Sequence, residues 1–167
     1  MKPLNLKLKN IGAFAGETEI DFSRLNDIFL ICGKTGSGKT TILDSICYAL
    51  YGKLPGARSD HPRMMRSQFV GEDEDSSIVF EFMLGGEKYK IARVLPLSYV
   101  NRNNKVSEKQ ETVALFKYEQ GRYAEIAGKK SETAPLFRND GPLLHCRDKR
   151  RRDSRSPAGY SMKSRAE

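Results

Sequence analysis

IFLICGKTGSGKTTILDSICYALYG, residues 28–52, is the stretch on which the reading of the fold turns. Ile28 to Cys32 is an unbroken apolar run of strand length, which predicts a strand covered on both faces. A glycine-rich loop follows, and then Ile42, Leu43, Ile46, Ala49 and Leu50 recur at helical spacing, so a helix is expected over 39–51 with Gly52 as its stop. Between them Gly33, Lys34, Thr35, Gly36, Ser37, Gly38, Lys39 and Thr40 match G-x-x-x-x-G-K-[ST] in full. The glycines let successive N–H groups turn inward toward phosphate oxygens, and the helix beginning near Lys39 adds its positive N-terminal end. Lys39 is expected on the β- and γ-phosphates, Thr40 on Mg²⁺ and Thr41 near the α-phosphate. A glycine loop that merely joins strand to helix is the bland alternative. The apolar run before it and the helix after it supply the context that the pattern requires.

Outward from this centre the chain reads mostly as antiparallel strands. LNLKLKNIGAF alternates from Leu4 to Leu8, and ETEIDF reads as its partner after Gly12 and Gly16, with Ile20 and Phe22 on one face. SSIVFEFML and EKYKIARVL flank Gly85-Gly86, a hairpin signal; TVALFKY and RYAEIA form a second, turning at Gln120-Gly121. Residues 53–75 read as loop, and a polar stretch over 98–111 precedes the second hairpin. Two domains of unequal character are expected, an α/β lobe over 1–133 and a basic tail over 134–167. The tail carries nine Lys/Arg against four Asp/Glu and has no sustained period, so it reads as disordered or poorly packed. The excess of positive charge is therefore mostly in the tail, and the net +8 is a poor argument for DNA binding.

No run approaches 18 apolar residues, the opening MKPLNLKLKN is too charged for a signal peptide, and Cys32, Cys47 and Cys146 have no metal spacing. A reduced, cytoplasmic protein without a membrane span is expected. Cys32 and Cys47 are expected in the core beside the loop, His61 in solvent, and His145 in the tail. Hydrolysis needs an acidic Mg²⁺ ligand at a strand end and a group that orients water, and no strand of four apolar residues ending in Asp-Glu occurs. The residues thus support nucleotide binding better than turnover, and whether the chain is an enzyme stays open.

The K-N-I-G-A-F opening strand (Lys9 to Phe14), the glycine loop from residue 33, D-S-I-C-Y-A-L-Y-G after it, RMMRSQF (Arg63 to Phe69) and the VFEF and YKIARVL strands together resemble SbcC-type exonuclease ATPase subunits, and more distantly the SMC and RecF group of coiled-coil ATPases. The likeness covers approximately residues 1–133. It implies the N-terminal lobe of an ABC-type P-loop NTPase head, a mixed sheet with antiparallel hairpins and a P-loop helix, that binds ATP and Mg²⁺. It further implies a DNA double-strand-break repair exonuclease complex with a second ATPase head, an SbcD-type nuclease subunit and double-stranded DNA as partners. By the same resemblance Gly33, Gly36, Gly38, Lys39, Thr40 and Thr41 are phosphate and Mg²⁺ positions. Lys9 and Asn10 lie on the strand beside the nucleotide, and Arg63, Arg66 and Ser67 lie near its base and ribose.

The sequence departs from that family after the second hairpin. The G-L-S-F helix, the L-P-Q-G loop, the coiled coil, the signature motif and the second acidic motif do not occur, and Gln68 stands too early to serve as the sensing glutamine. A frameshift near residue 134 is one account: Asp140 to His145 can be encoded by codons whose +1 frame reads Thr-Gly-Leu-Ser-Phe. Resequencing the gene past the Thr133 codon tests it. Two other functions stand beside an ATPase half-head: a non-catalytic phosphate-binding remnant, and a small P-loop transferase, which would need repeated βα units that this chain lacks. Hydrophobic edges left uncovered would make the isolated chain self-associate.

Overall fold

The structure, a computed structural model, describes residues 1–26, 28–56, 62–71, 73–100, 105–129, 132–133 and 137. Its strands are β1 (Lys2–Ile11), β2 (Phe14–Asp21), β3 (Ser77–Leu84), β4 (Glu87–Val94), β5 (Leu97–Val100), β6 (Val106–Lys109), β7 (Thr112–Glu119) and β8 (Arg122–Ala127); the helix α1 is Lys39–Tyr51, and a 3-10 turn spans Pro62–Met65. Six strands form one sheet in the order β2-β1-β3-β4-β7-β8, antiparallel throughout, and β5 pairs with β6 as a separate ribbon.

Side-chain parity explains the core. Leu6 and Leu8 of β1, Ile78, Phe80 and Phe82 of β3, Tyr89 and Ile91 of β4, and Val113 and Leu115 of β7 all fall on one face. Against that face packs α1, through Ser45, Tyr48 and Ala49. Both hairpins close as expected on two-residue turns, with positive φ at Gly85 (63°) and Gly86 (88°), and at Gln120 (49°) and Gly121 (84°). Gly52 ends α1 in the left-handed region at φ 65°, its N–H donating to the Tyr48 carbonyl.

Three expectations are corrected. Residues 28–32 are not a strand, and the sheet is antiparallel rather than mixed. Ile28 is 93% and Leu30 84% exposed, Ile31 is partly covered, and the Phe29 ring lies 5.6 Å from that of Phe22. The run carries the composition of a buried strand, but among the described residues no strand edge lies beside it to complete its backbone hydrogen bonds. Cys32, expected in the core, is exposed for the same reason, while Cys47 is half-buried. The polar stretch 98–111 is in part the β5–β6 ribbon, fixed at its base by buried Leu97.

Helix α1 is also rotated relative to the apolar pattern. Leu43 is exposed and Ile42 and Ile46 are only partly covered, while Asp44 and Ser45 are buried. Phe137, inside the expected tail, is buried against Phe82 with ring centroids 6.0 Å apart. His61, the remainder of the 134–167 tail with His145 and Cys146, and the proposed frameshift product lie outside the described residues. No described helix is long and apolar enough to cross a membrane.

Candidate functional site

The loop Gly33–Gly38 turns tightly into α1. Ser37 N–H donates to the Lys34 carbonyl at 3.2 Å, and Gly36 and Gly38 have φ of 82° and 87°, values that glycine adopts without cost. A side chain at Gly33 would put its Cβ 2.6 Å from Ser37 Oγ, and one at Gly38 would meet the Phe14 ring at 2.7 Å. Gly38 is thus held to that residue type by its backbone and by the Phe14 ring and Gly36 by its backbone alone, whereas at Gly33 a Cβ would require the Ser37 hydroxyl to turn aside.

Lys39 arches back over this loop, its Nζ donating to the carbonyls of Gly33 and Lys34, both at 2.8 Å. Gly38 is the N-cap of α1 and offers no side-chain acceptor, and the first turn holds no acidic residue. The N–H groups of Lys39, Thr40 and Thr41 therefore have no acceptor within the helix. A cation and a row of uncommitted N–H groups at the positive end of a helix dipole fit a polyphosphate. Thr40 is exposed at this end, and its hydroxyl is the residue present that fits Mg²⁺; Thr41 is turned the other way, against Gly12, where an added Cβ would meet its Cγ2 at 2.6 Å.

The β1–β2 turn joins this loop to the segment around Arg63. Gly12 lies against Thr41 on one side and donates its N–H to the Met65 carbonyl at 2.7 Å on the other. Ser67 N–H donates to the Asn10 carbonyl at 2.9 Å, and Ile11 bridges Arg66. Arg63, Arg66, Ser67, Gly71, Pro96 and Ser98 border a cleft of about 540 Å³. The structure thus brings both sequence-expected clusters to one turn, but it commits several of the side chains elsewhere.

Asn10, buried in the left-handed region (φ 56°), donates Nδ2 to Glu74 Oε2 and the Asp75 carbonyl and accepts from Gly16 N–H. Arg66 holds the Gly71 and Glu74 carbonyls and Ser76 Oγ. Both side chains are structural ties of the 71–76 loop. Arg63 pairs with Glu108 at 2.7 Å, which, helped by Ser98 Oγ, holds the Glu108 carboxyl below its ordinary range. Lys9 is exposed on the outer face of the sheet, 3.9 Å from Glu17.

Three participants were not singled out from the sequence. Gly12 and Phe14, within the K-N-I-G-A-F string, shape the floor of the loop. Arg93 is 1% exposed; its Nε and Nη2 donate to the Ala49 carbonyl at 3.1 and 3.0 Å, and its Nη1 to Glu111 Oε1 at 2.7 Å. Its guanidinium carbon also stands 5.5 Å from the centre of the Tyr48 ring. Burial, and after it the charge of Glu111, pushes the Tyr48 hydroxyl well above its usual range. Parity was the available signal: Tyr89, Ile91 and Arg93 alternate on the inner face of β4.

Comparison with known proteins places this site in context. The family model described as "AAA domain" matches residues 5–150. The SbcC component of the SbcCD nuclease of Treponema pallidum is 45% identical over 108 residues, covering 65% of this chain and 10% of that protein. Its counterpart in Vibrio cholerae is 46% identical over 95 residues (56% of this chain, 9% of that protein), and that of Staphylococcus aureus strain MRSA252 is 46% identical over 106 residues (62% and 10%). The chain thus spans about a tenth of the length of these curated relatives.

Proposed function

Because this chain belongs to the AAA domain family and is similar to the SbcC components of SbcCD nucleases, we propose that it is the ATP-binding N-terminal lobe of an ABC-type head in a DNA double-strand-break repair exonuclease. The observation that carries this reading is the uncapped first turn of α1 with Lys39 folded over the Gly33–Gly38 loop. The backbone N–H groups of Gly36, Gly38, Lys39, Thr40 and Thr41 and the Lys39 ammonium bind the phosphates, and Thr40 Oγ1 is the ligand this chain gives to Mg²⁺. When bound, the metal would supply charge neutralisation to the phosphates. Lys39 exchanges its two loop carbonyls for phosphate oxygens, and Gly12 keeps Thr41 and the first turn at fixed height.

The sequence holds no acidic strand-end motif for the second metal ligand, so turnover belongs to the complete head, with residues that the resemblance assigns to a C-terminal lobe. Exposed Ile28, Leu30 and Leu43 support that assignment, since apolar surface of this kind is covered in a finished core. By the same reading the partners are a second head, an SbcD-type nuclease subunit and double-stranded DNA, in the cytoplasm, and the isolated chain self-associates. A second reading, phosphate binding with no turnover at all, is favoured by the missing acidic motif.

Thermal unfolding with and without Mg-ATP tests the site. At about 100 times the dissociation constant, ligand adds about 2.7 kcal/mol, and Lys39→Ala abolishes that protection. Equal protection of wild type and variant, or none in either, refutes the site. An ATPase rate in the isolated chain well above that of Lys39→Ala refutes the assignment of turnover to the complete head.

A further inference from the structure

Arg93 lies at the opposite end of α1 from the phosphate loop, and its bonding is unusual for a residue that only fills a core. Its side chain is fully buried, and its partner Glu111 is 8% exposed. A buried ion pair of this kind gains little over a well-packed apolar pair, because desolvating both charges offsets their attraction. What it does supply is a fixed geometry. Two of the three guanidinium nitrogens converge on one atom, the Ala49 carbonyl oxygen, and the third is anchored by Glu111 just before β7. Ala49 lies in the last turn of α1, where carbonyls lack a helical donor and where a cation complements the helix dipole.

At the other end of the helix Gly12 stands against Thr41 and Phe14 against Gly38. Those contacts stop α1 from advancing toward the β1–β2 turn, but no bond in them stops it from withdrawing. The guanidinium's grip on the Ala49 carbonyl, roughly 15 Å along the axis from Lys39 at 1.5 Å per residue, supplies that second stop. A rigid helix transmits its axial setting, so the height of the first-turn N–H groups is fixed from its far end.

We propose that Arg93, oriented by Glu111, is a positioning residue of the phosphate site: it sets the axial position of α1 and thereby the placement of the Lys39, Thr40 and Thr41 N–H groups. The inference rests on the nucleotide-binding reading above. It differs from a purely stabilising role, because it separates affinity from stability.

The test uses the full chain with Arg93→Met/Glu111→Met, Arg93→Lys, Leu115→Ala as a core variant of lowered stability, and wild type. The double substitution removes both buried charges together, so neither is left without a partner. Urea unfolding without ligand measures stability, and titration with a fluorescent ATP analogue and Mg²⁺ measures affinity. Because the Ala49 carbonyl is left without its donor, the double variant is expected to unfold at a lower urea midpoint. Leu115→Ala, which lowers the midpoint from the core, is expected to bind like wild type, and the double variant about tenfold more weakly than wild type. Arg93→Lys, which keeps a cation at the Ala49 carbonyl, is expected to fall between them. Wild-type affinity in the double variant, or an equal loss of affinity in Leu115→Ala, overturns the positioning role. Lysine binding no better than the double variant also overturns it. A wild-type chain that binds no better than Lys39→Ala instead defeats the nucleotide reading itself, so the two failures are distinct.

Discussion

Gly38→Ala is the substitution whose cost can be worked out most fully from the structure. Two terms add. The backbone at this position has φ 87°, which costs a residue with a side chain about 1–2 kcal/mol. The new Cβ would lie 2.7 and 2.8 Å from Phe14 Cζ and Cε2 and 3.5 Å from Ala13 Cβ, and overpacking of that kind costs about 1–3 kcal/mol. The sum is about 2–5 kcal/mol, out of a typical total of about 5–15. With a urea m-value of about 2 kcal/mol/M, the midpoint falls by about 1–2.5 M.

Gly36→Ala isolates the first term, since its φ of 82° is similar but nothing stands within 4 Å of the added atom. A double cycle with Phe14→Ala isolates the second: without the ring, Gly38→Ala should cost no more than Gly36→Ala, giving a coupling of at least about 1 kcal/mol. Far-UV circular dichroism follows the unfolding, because the chain has no tryptophan. Equal costs for Gly36→Ala and Gly38→Ala, or additivity of Gly38→Ala with Phe14→Ala, would show that the ring does not shape the loop.

Ile28→Lys with Leu30→Glu should leave the thermal midpoint of the chain almost unchanged, since both side chains are exposed, and should lower its self-association in sedimentation; a large loss of stability would mean that the run is packed. Cys32 should react with iodoacetamide far faster than Cys47, whose thiol is pushed up first by burial and then by Asp44; equal rates by peptide mass spectrometry would contradict the placement of 28–32. Glu108 is held low chiefly by Arg63, and Glu87 chiefly by Lys117. Their contribution to stability is therefore complete above the ordinary value of 4.5 and disappears as pH falls through the lowered folded values. Urea midpoints of Glu87→Gln/Glu108→Gln should vary less than wild type in that acid window, and parallel curves would argue against both pairs.

The elements that were legible in the sequence are those specified by near neighbours. Alternation in Leu4 to Leu8 and in Val79 to Leu84, the Gly85-Gly86 and Gln120-Gly121 turns, and the Gly38 to Gly52 helix all depend on residues a few positions apart. The 28–32 run was misread because a strand exists only when another strand stands beside it, which composition does not reveal. The β5–β6 ribbon was missed because Ser98, Ser107, Glu108 and Lys109 hide its period, and the residues that meet it, such as Asp75 at Lys109 and Arg63 at Glu108, are distant in sequence. At the candidate site, the motif picks out the Gly33–Gly38 loop and the start of α1. Asn10 and Arg66 were placed near the nucleotide, whereas their bonds run to Glu74, Asp75 and Gly71. A polar side chain advertises its capacity for hydrogen bonds but not the partner that satisfies it.

The sheet order carries a consequence for assembly. Three hairpins, β1–β2, β3–β4 and β7–β8, join strands adjacent in sequence, whereas β1 pairs with β3 across the whole excursion that contains the loop and α1. Local hairpins close in about 1–10 μs, while bringing distant segments together carries a larger entropic cost. The β1–β3 seam is therefore the expected late event, and Gly12, Phe14 and Arg93 come to surround α1 only once it has zipped. A nascent or partly melted chain would hold every residue of the Gly33–Thr40 motif and still lack the walls that give the loop its shape.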